Sequence, residues 1–142
     1  MLYGRGTKVE LVVDSSKVKL AMTPNDDIAI VEGDKERITQ VMCNIMSNAI
    51  KFTEEGKISV TSVLMKEKDK RNVVVSVKDA GSGIDSEILP RLFTRFVTKS
   101  DRGTGLGLYI SKGIIEAHGG KIWAENNLNE MGATINFSLT IV

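Results

Sequence analysis

The sequence is poor in the residues that build covalent or metal-held scaffolds. One cysteine, Cys43, and one histidine, His118, stand among its 142 residues. A single thiol excludes an internal disulfide and a cysteine-rich metal cage, and a single imidazole leaves no histidine pair for zinc. Long apolar runs are missing, so no segment reads as a membrane span and no direct membrane contact is expected. The opening Met1-Leu-Tyr-Gly-Arg-Gly has no signal-peptide core. The simplest expectation is a cytoplasmic location, which the cytosolic part of a membrane-anchored protein would share. An excess of charge of one sign is absent too: 19 Lys and Arg against 18 Asp and Glu leave a net charge of +1. That balance argues against nucleic acid as a partner. The two prolines, Pro24 and Pro90, stand outside the strongly periodic segments.

What is present suits one globular domain: 42% hydrophobic and 26% charged residues, in a chain long enough for a single core. Residues 1–6 read as a flexible lead-in and 7–142 as the domain. Alternation of polar and apolar residues predicts short strands over 8–13 and 17–22. Asp34 is placed to cap a helix in which Ile38, Val41, Met42, Ile45, Met46 and Ala49 recur at spacings of three and four, as far as Phe52. Segments 57–65 and 72–79, rich in Val, Ile, Ser and Thr, flank a charged run and predict an antiparallel hairpin. A loop-rich stretch with a short helical piece near 89–93 comes next. A second helix is expected over 104–118, with Leu106, Ile110, Ile114 and Ala117 inward and Gly119-Gly120 as its stop. Strands over 121–126 and 133–142 close the chain. The order predicts an α+β sandwich, a mixed and largely antiparallel sheet with helices packed on one face. Trp123 is expected to pack a strand against a helix.

The first helix carries an unusual polar stripe. At about 100° per residue, Asn48 lies at about 40° from Asn44, Lys51 at about −20°, Gln40 at about −40° and Arg37 at about 20°. A solvated face is one reading. Asparagine, however, is a poor helix former, and solvated faces favour long charged side chains. Two amide oxygens and a cation aimed at one point suit a magnesium-bound polyphosphate, because Mg²⁺ takes few protein oxygens and leaves the remainder to phosphate and water.

Two glycine segments add to this. Asp79-Ala-Gly81-Ser-Gly83-Ile84 follows a predicted strand, with glycines that admit close backbone approach. Gly103-Thr104-Gly105-Leu106-Gly107-Leu108 opens the second helix, where backbone N–H groups, the helix dipole and the Thr104 hydroxyl favour an anion. It is neither a Walker A loop nor a dinucleotide fingerprint. A glycine-rich helix start packed on a sheet remains the alternative.

Taken in order, these segments resemble one family, the catalytic ATP-binding domain of sensor histidine kinases. Asn44-Ile-Met-Ser-Asn48-Ala-Ile-Lys51-Phe52-Thr53 is similar to its N box and Asp79 to Ile84 to its G1 box. Leu92-Phe93-Thr94-Arg95-Phe96 resembles the F box, Gly103 to Leu108 the G2 box, and Gly132-Ala-Thr134-Ile-Asn-Phe137 the closing Gly-x-Thr-x-Phe strand. The resemblance implies the fold shared with gyrase, MutL and a heat-shock chaperone (the GHKL fold), with residues 84–104 as a lid over ATP. It implies Asn48 as the principal Mg²⁺ ligand with Asn44 assisting, and Lys51 as a neutraliser of phosphate charge. Asp79 would accept a hydrogen bond from the adenine amino group, and Thr134 would bond near the same base. Gly81, Gly83, Ile84, Gly103, Thr104, Gly105, Leu106, Gly107 and Leu108 would line the nucleotide, with Lys99 and Arg102 reaching it from the lid.

Where ATP-hydrolysing relatives carry a Glu base one turn before the magnesium Asn, this chain has Asn44, which cannot take up a proton at neutral pH. The implied function is to bind Mg–ATP and present its γ-phosphate to a histidine on a separate dimerisation domain, in two-component signalling with a downstream response regulator. No dimerisation or acceptor domain is recognised here, so the isolated chain is expected to bind ATP without autophosphorylating. His118, within Glu116-Ala-His118-Gly119-Gly120, reads as a helix-end residue, a cation there being favoured by the dipole. A self-sufficient GHKL ATPase and a non-catalytic nucleotide-binding module are the alternatives.

Overall fold

The computed structural model describes residues 2–3, 8–13, 18–23, 31–95 and 106–141. Its strands are β1 (Leu2–Tyr3), β2 (Lys8–Val13), β3 (Val18–Thr23), β4 (Gly56–Glu67), β5 (Lys70–Lys78), β6 (Lys121–Asn126) and β7 (Ala133–Thr140). Helix α1 (Lys35–Phe52) falls between β3 and β4, and α2 (Gly107–Ala117) between β5 and β6. The strands form one seven-stranded sheet in the order β3-β2-β4-β5-β7-β6, with β1 paired to β4. Every described pairing is antiparallel, so the expected sheet carries no parallel component among these strands. The sequence-adjacent pairs β2/β3, β4/β5 and β6/β7 account for much of this, since neighbouring strands joined directly run antiparallel. Leu2–Tyr3, expected within a flexible lead-in, instead pairs with Leu64 and Met65. β4 is twelve residues long and offers backbone partners past the end of β2, which is what β1 uses.

Alternation decides which sheet face is covered. Ile58, Val73, Val77, Ile135, Phe137 and Leu139 are buried and form the core with Val41, Ile45 and Ala49 of α1 and Ile115 of α2. Burying each large apolar side chain contributes about 1.5–3 kcal/mol, so this face fixes the register of both helices. α1 begins where the capping residue predicts. The Asp34 carboxylate accepts from the N–H groups of Glu36 and Arg37, satisfying two of the helix's free donors.

The inward face of α2 differs from the expectation. Ser111 and Ile115 are its buried residues, whereas Ile110 is 38% exposed and Ala117 is exposed. Leu108, Ile114 and Ile115 pack on the core while Lys112 and Glu116 pair on the exposed side, so the helix is turned from the expected orientation and brings Ser111 against α1. Trp123 also departs from expectation. Its neighbours Ile122 and Ala124 pack on the core, so alternation turns Trp123 to the opposite face, where it is 39% exposed.

His118 ends α2 and reaches the start of α1. Its Nε2 lies 3.0 Å from the Asp34 backbone N–H and its Nδ1 lies 2.8 Å from the Ile114 carbonyl. The N–H can only donate and the carbonyl can only accept, so a neutral ring with its proton on Nδ1 satisfies both. The ring is thus a bridge from the end of α2 to the start of α1. A side chain at Gly33 would begin 2.6 Å from the ring, so glycine is required there.

Candidate functional site

The G1 segment is built on the ends of β5 and β7. Asp79, just past β5, accepts at Oδ1 from the N–H groups of Gly81 and Ala133, each at 3.0 Å. Its own N–H donates to the Ala133 carbonyl at 2.9 Å. One carboxylate oxygen is therefore committed to the fold. The Asp79 carbonyl accepts from Asn127 Nδ2 at 3.0 Å, the same amide donates to Met131, and Thr134 Oγ1 donates to Asn127 Oδ1 at 2.6 Å. Asp79 and Thr134, far apart in sequence, are thus tied together through Asn127. Gly132 has φ +102°, and a Cβ there would lie 2.1 Å from the Asp79 carbonyl oxygen.

The rest of the segment is held as firmly. Gly81 is buried against the end of α1, where a Cβ would come within 2.4 Å of the Phe52 carbonyl oxygen. Gly83 has φ +85°. Asn126 grips Ile84 at both ends, Oδ1 accepting from its N–H at 2.7 Å and Nδ2 donating to its carbonyl at 2.9 Å. Asn126 and Asn127 fall within none of the glycine or N-box motifs. The only signal is their position, two amides ending a strand before a glycine turn.

Along α1, Arg37 donates to the Gln40 side chain at 3.1 Å. Asn44 Nδ2 donates to the Gly107 carbonyl and to Ser111 Oγ, each at 3.2 Å. Asn48 and Lys51 are half-buried on the same ridge, with Lys51 Nζ 5.8 Å from the centre of the Phe52 ring. The two glycine segments therefore meet α1 at separate levels, Gly107 beside Asn44 and Gly81 at Phe52. Eight residues separate these levels, about 12 Å of helix. Asn48 lies between them.

Of the segment expected as a lid, Ile84 to Arg95 are described, and they hold a 3₁₀ turn, Leu89–Arg91. Phe93 packs on the core, and the Arg95 guanidinium stands 4.9 Å from the ring centre of Tyr109 in α2. Leu106 precedes α2, Gly107 opens it and Leu108 packs on the core. Lys99, Arg102, Gly103, Thr104 and Gly105 lie outside the described residues. Among the described residues no group of three or more His, Cys, Asp or Glu side chains is arranged to hold a metal ion. No described helix is long and apolar enough to cross a membrane.

Residues 33–141, which include both glycine segments and the α1 ridge, match the family described as histidine kinase-, DNA gyrase B-, and HSP90-like ATPase. The chain belongs to that family. Within it the chain is similar to sensor kinases. It is 41% identical over 140 residues to the sensor protein KdpD of Clostridium acetobutylicum, an alignment covering 92% of this chain and 15% of that protein. It is 41% identical over 122 residues to the sensor histidine kinase WalK of Bacillus subtilis, covering 82% of this chain and 20% of WalK. The chain thus spans about a fifth or less of the length of these two relatives. Among solved structures, full-length ShkA in complex with AMPPNP superposes with a TM-score of 0.66 at 30% identity, over 81% of this chain and 24% of ShkA. The chain is an ATP-binding catalytic domain of the sensor histidine kinase type.

Proposed function

We propose that this domain binds Mg–ATP along the α1 ridge and presents the γ-phosphate to a histidine on a separate dimerisation domain, with a response regulator downstream. The observation that carries the reading is the convergence of both glycine segments on one helix, with Asn48 on the ridge between them. Asp79 supports the adenine end. With Oδ1 held by two backbone N–H groups, its other oxygen is left to accept from an exocyclic amino group. Adenine offers that donor where guanine offers a carbonyl, so ATP is preferred to GTP.

The donor set fits magnesium rather than a metal that needs a carboxylate or thiolate cage. Two half-buried amides on one ridge supply the few protein oxygens that Mg²⁺ takes when phosphate and water complete its shell. Asn48 would hold the ion with Asn44 assisting, and Lys51 would offset phosphate charge. Bound magnesium would neutralise the polyphosphate and orient it for in-line transfer. Asn44 has no basic oxygen with which to activate water, which favours phosphoryl transfer to another nucleophile over hydrolysis. Lys99, Arg102 and the 103–105 turn would act from the lid.

Calorimetry of the chain with ATP and GTP, with and without Mg²⁺, tests the binding. ATP binding strengthened by Mg²⁺ and at least about tenfold tighter than GTP binding is expected, the value of one hydrogen bond to a charged group. Equal affinities would remove the adenine assignment. Steady phosphate release by the chain alone would favour a self-sufficient ATPase.

A further inference from the structure

The ridge amide at position 44 has a chemical polarity that the fold sets. Ser111 is fully buried in α2. Its hydroxyl donates to the Gly107 carbonyl at 2.9 Å, four residues back along its own helix. With its proton spent there, Ser111 Oγ presents only lone pairs to Asn44, as does the Gly107 carbonyl. Both groups facing Asn44 are acceptors, so the side that meets α2 must be the Nδ2 amide. Flipping the amide would set its oxygen 3.2 Å from two other oxygens. Among the described residues, Asn44 Oδ1 accepts no hydrogen bond.

We infer that Ser111 is a positioning residue: it locks Asn44 with its nitrogen against α2 and its oxygen free, so that position 44 serves the site as an oxygen donor to the cation and not as an N–H donor to phosphate. This rests on the reading of the ridge as a magnesium–phosphate site. Ser111 belongs to no glycine box, and its hydroxyl meets Asn44 and the Gly107 carbonyl. Its buried hydroxyl would otherwise serve only to satisfy a helical carbonyl. The same contact explains why Ser111, and not the apolar Ile110 beside it, faces inward on α2.

The test compares Ser111→Ala and Ser111→Cys with the unaltered 142-residue chain, using ATP and Mg²⁺ as probes. Calorimetry gives the ratio of ATP affinity with and without Mg²⁺, and NMR of the free protein follows the Asn44 side-chain amide. In Ser111→Ala the amide loses one acceptor. Its proton resonances are expected to move and exchange faster, and the Mg²⁺ enhancement of affinity to fall about 3- to 10-fold, the range of one hydrogen bond. Mg²⁺-free ATP affinity should stay within about twofold, because Asp79 and the G1 segment are untouched. Ser111→Cys keeps the volume with a weaker hydrogen-bonding group and should fall between the two. A purely structural role would lower both affinities together, or neither, and would overturn the inference. An unaltered chain without Mg²⁺-dependent binding would overturn the reading of the site and this inference with it. Normal Mg²⁺ dependence in the unaltered chain and in both variants would overturn the inference alone.

Discussion

At the scale of single residues, the adenine end of the site is a set of committed hydrogen bonds. Asp79 uses Oδ1 to hold the turn that follows it, so Asp79→Asn can keep that oxygen while replacing the free one with an N–H₂ group. Two donors would then face each other across the adenine amino group. The variant should keep its thermal midpoint within a few degrees while ATP affinity falls about 10- to 100-fold, the range of a hydrogen bond to a charged group. Calorimetry alongside a melting curve checks both. Gly132 behaves in the opposite way, touching no ligand but leaving no room for a side chain. Gly132→Ala sets a methyl 2.1 Å from the Asp79 carbonyl oxygen at φ +102°. It should cost about 1–3 kcal/mol of stability, measurable by urea unfolding, and weaken ATP binding by displacing Asp79. Asp79, Gly81 and Gly83 stood out in the sequence as a glycine turn after a strand, a weak signal alone that drew its meaning from the family resemblance. Asn126 and Asn127 did not, since their roles depend on partners 42 and 48 residues away.

At the scale of elements, α1 was the most legible. Its cap, its apolar spacing and its polar ridge are all local patterns, and the structure reproduces them from Lys35 to Phe52. α2 was less legible. It starts at Gly107, within its expected span, but its buried face is set by Ser111 and Ile115 rather than by Ile110 and Ala117. Its apolar residues fall on more than one side, and packing of Leu108, Ile114 and Ile115 on the core, with Ser111 against Asn44, sets which side is buried. The two helices are joined again at the far end, where His118 bridges the Asp34 N–H and the Ile114 carbonyl. His118→Ala should therefore destabilise the domain by about 1–2 kcal/mol, from one or two lost hydrogen bonds, and Gly33 should tolerate a larger side chain better in that background. Paired urea unfolding of Gly33→Ala with and without His118→Ala measures this. Equal costs of Gly33→Ala in both backgrounds would count against the bridge. Incubation of the chain with labelled ATP separates a structural histidine from a phosphoryl acceptor, because no label should appear on His118.

At the scale of the whole molecule, one sheet face carries both helices, and the two ends of the single β5–α2 connection meet the polar ridge of α1, Gly81 at Phe52 and Gly107 at Asn44. β5 delivers Asp79, and the β6–β7 hairpin holds it through Asn127 and Ala133, while Asn126 holds Ile84. The division of labour proposed for the domain also belongs to this scale. Labelled ATP should leave the isolated chain unmodified and transfer label to an added histidine-bearing dimerisation domain of the cognate kinase, with Asn48→Ala reducing transfer at least about tenfold, as loss of a charge-neutralising metal ligand implies. Autoradiography after mixing reads this directly, and label on the chain alone would contradict it.

The sequence by itself determined the local facts: where α1 is capped, which of its faces is apolar, where strands alternate, and which residue types could meet a nucleotide. These follow from periods of 3.6 and 2 and from the conformational freedom of glycine, all of which act between near neighbours. Tertiary structure alone decided which face of α2 turns inward, that Trp123 lies on the sheet face opposite Ile122 and Ala124, that His118 is a bridge, and which end of the Asn44 amide meets α2. Each of those depends on a hydrogen-bond partner or packing surface contributed by a distant part of the chain, and no local pattern encodes the polarity of a group its neighbours have yet to meet.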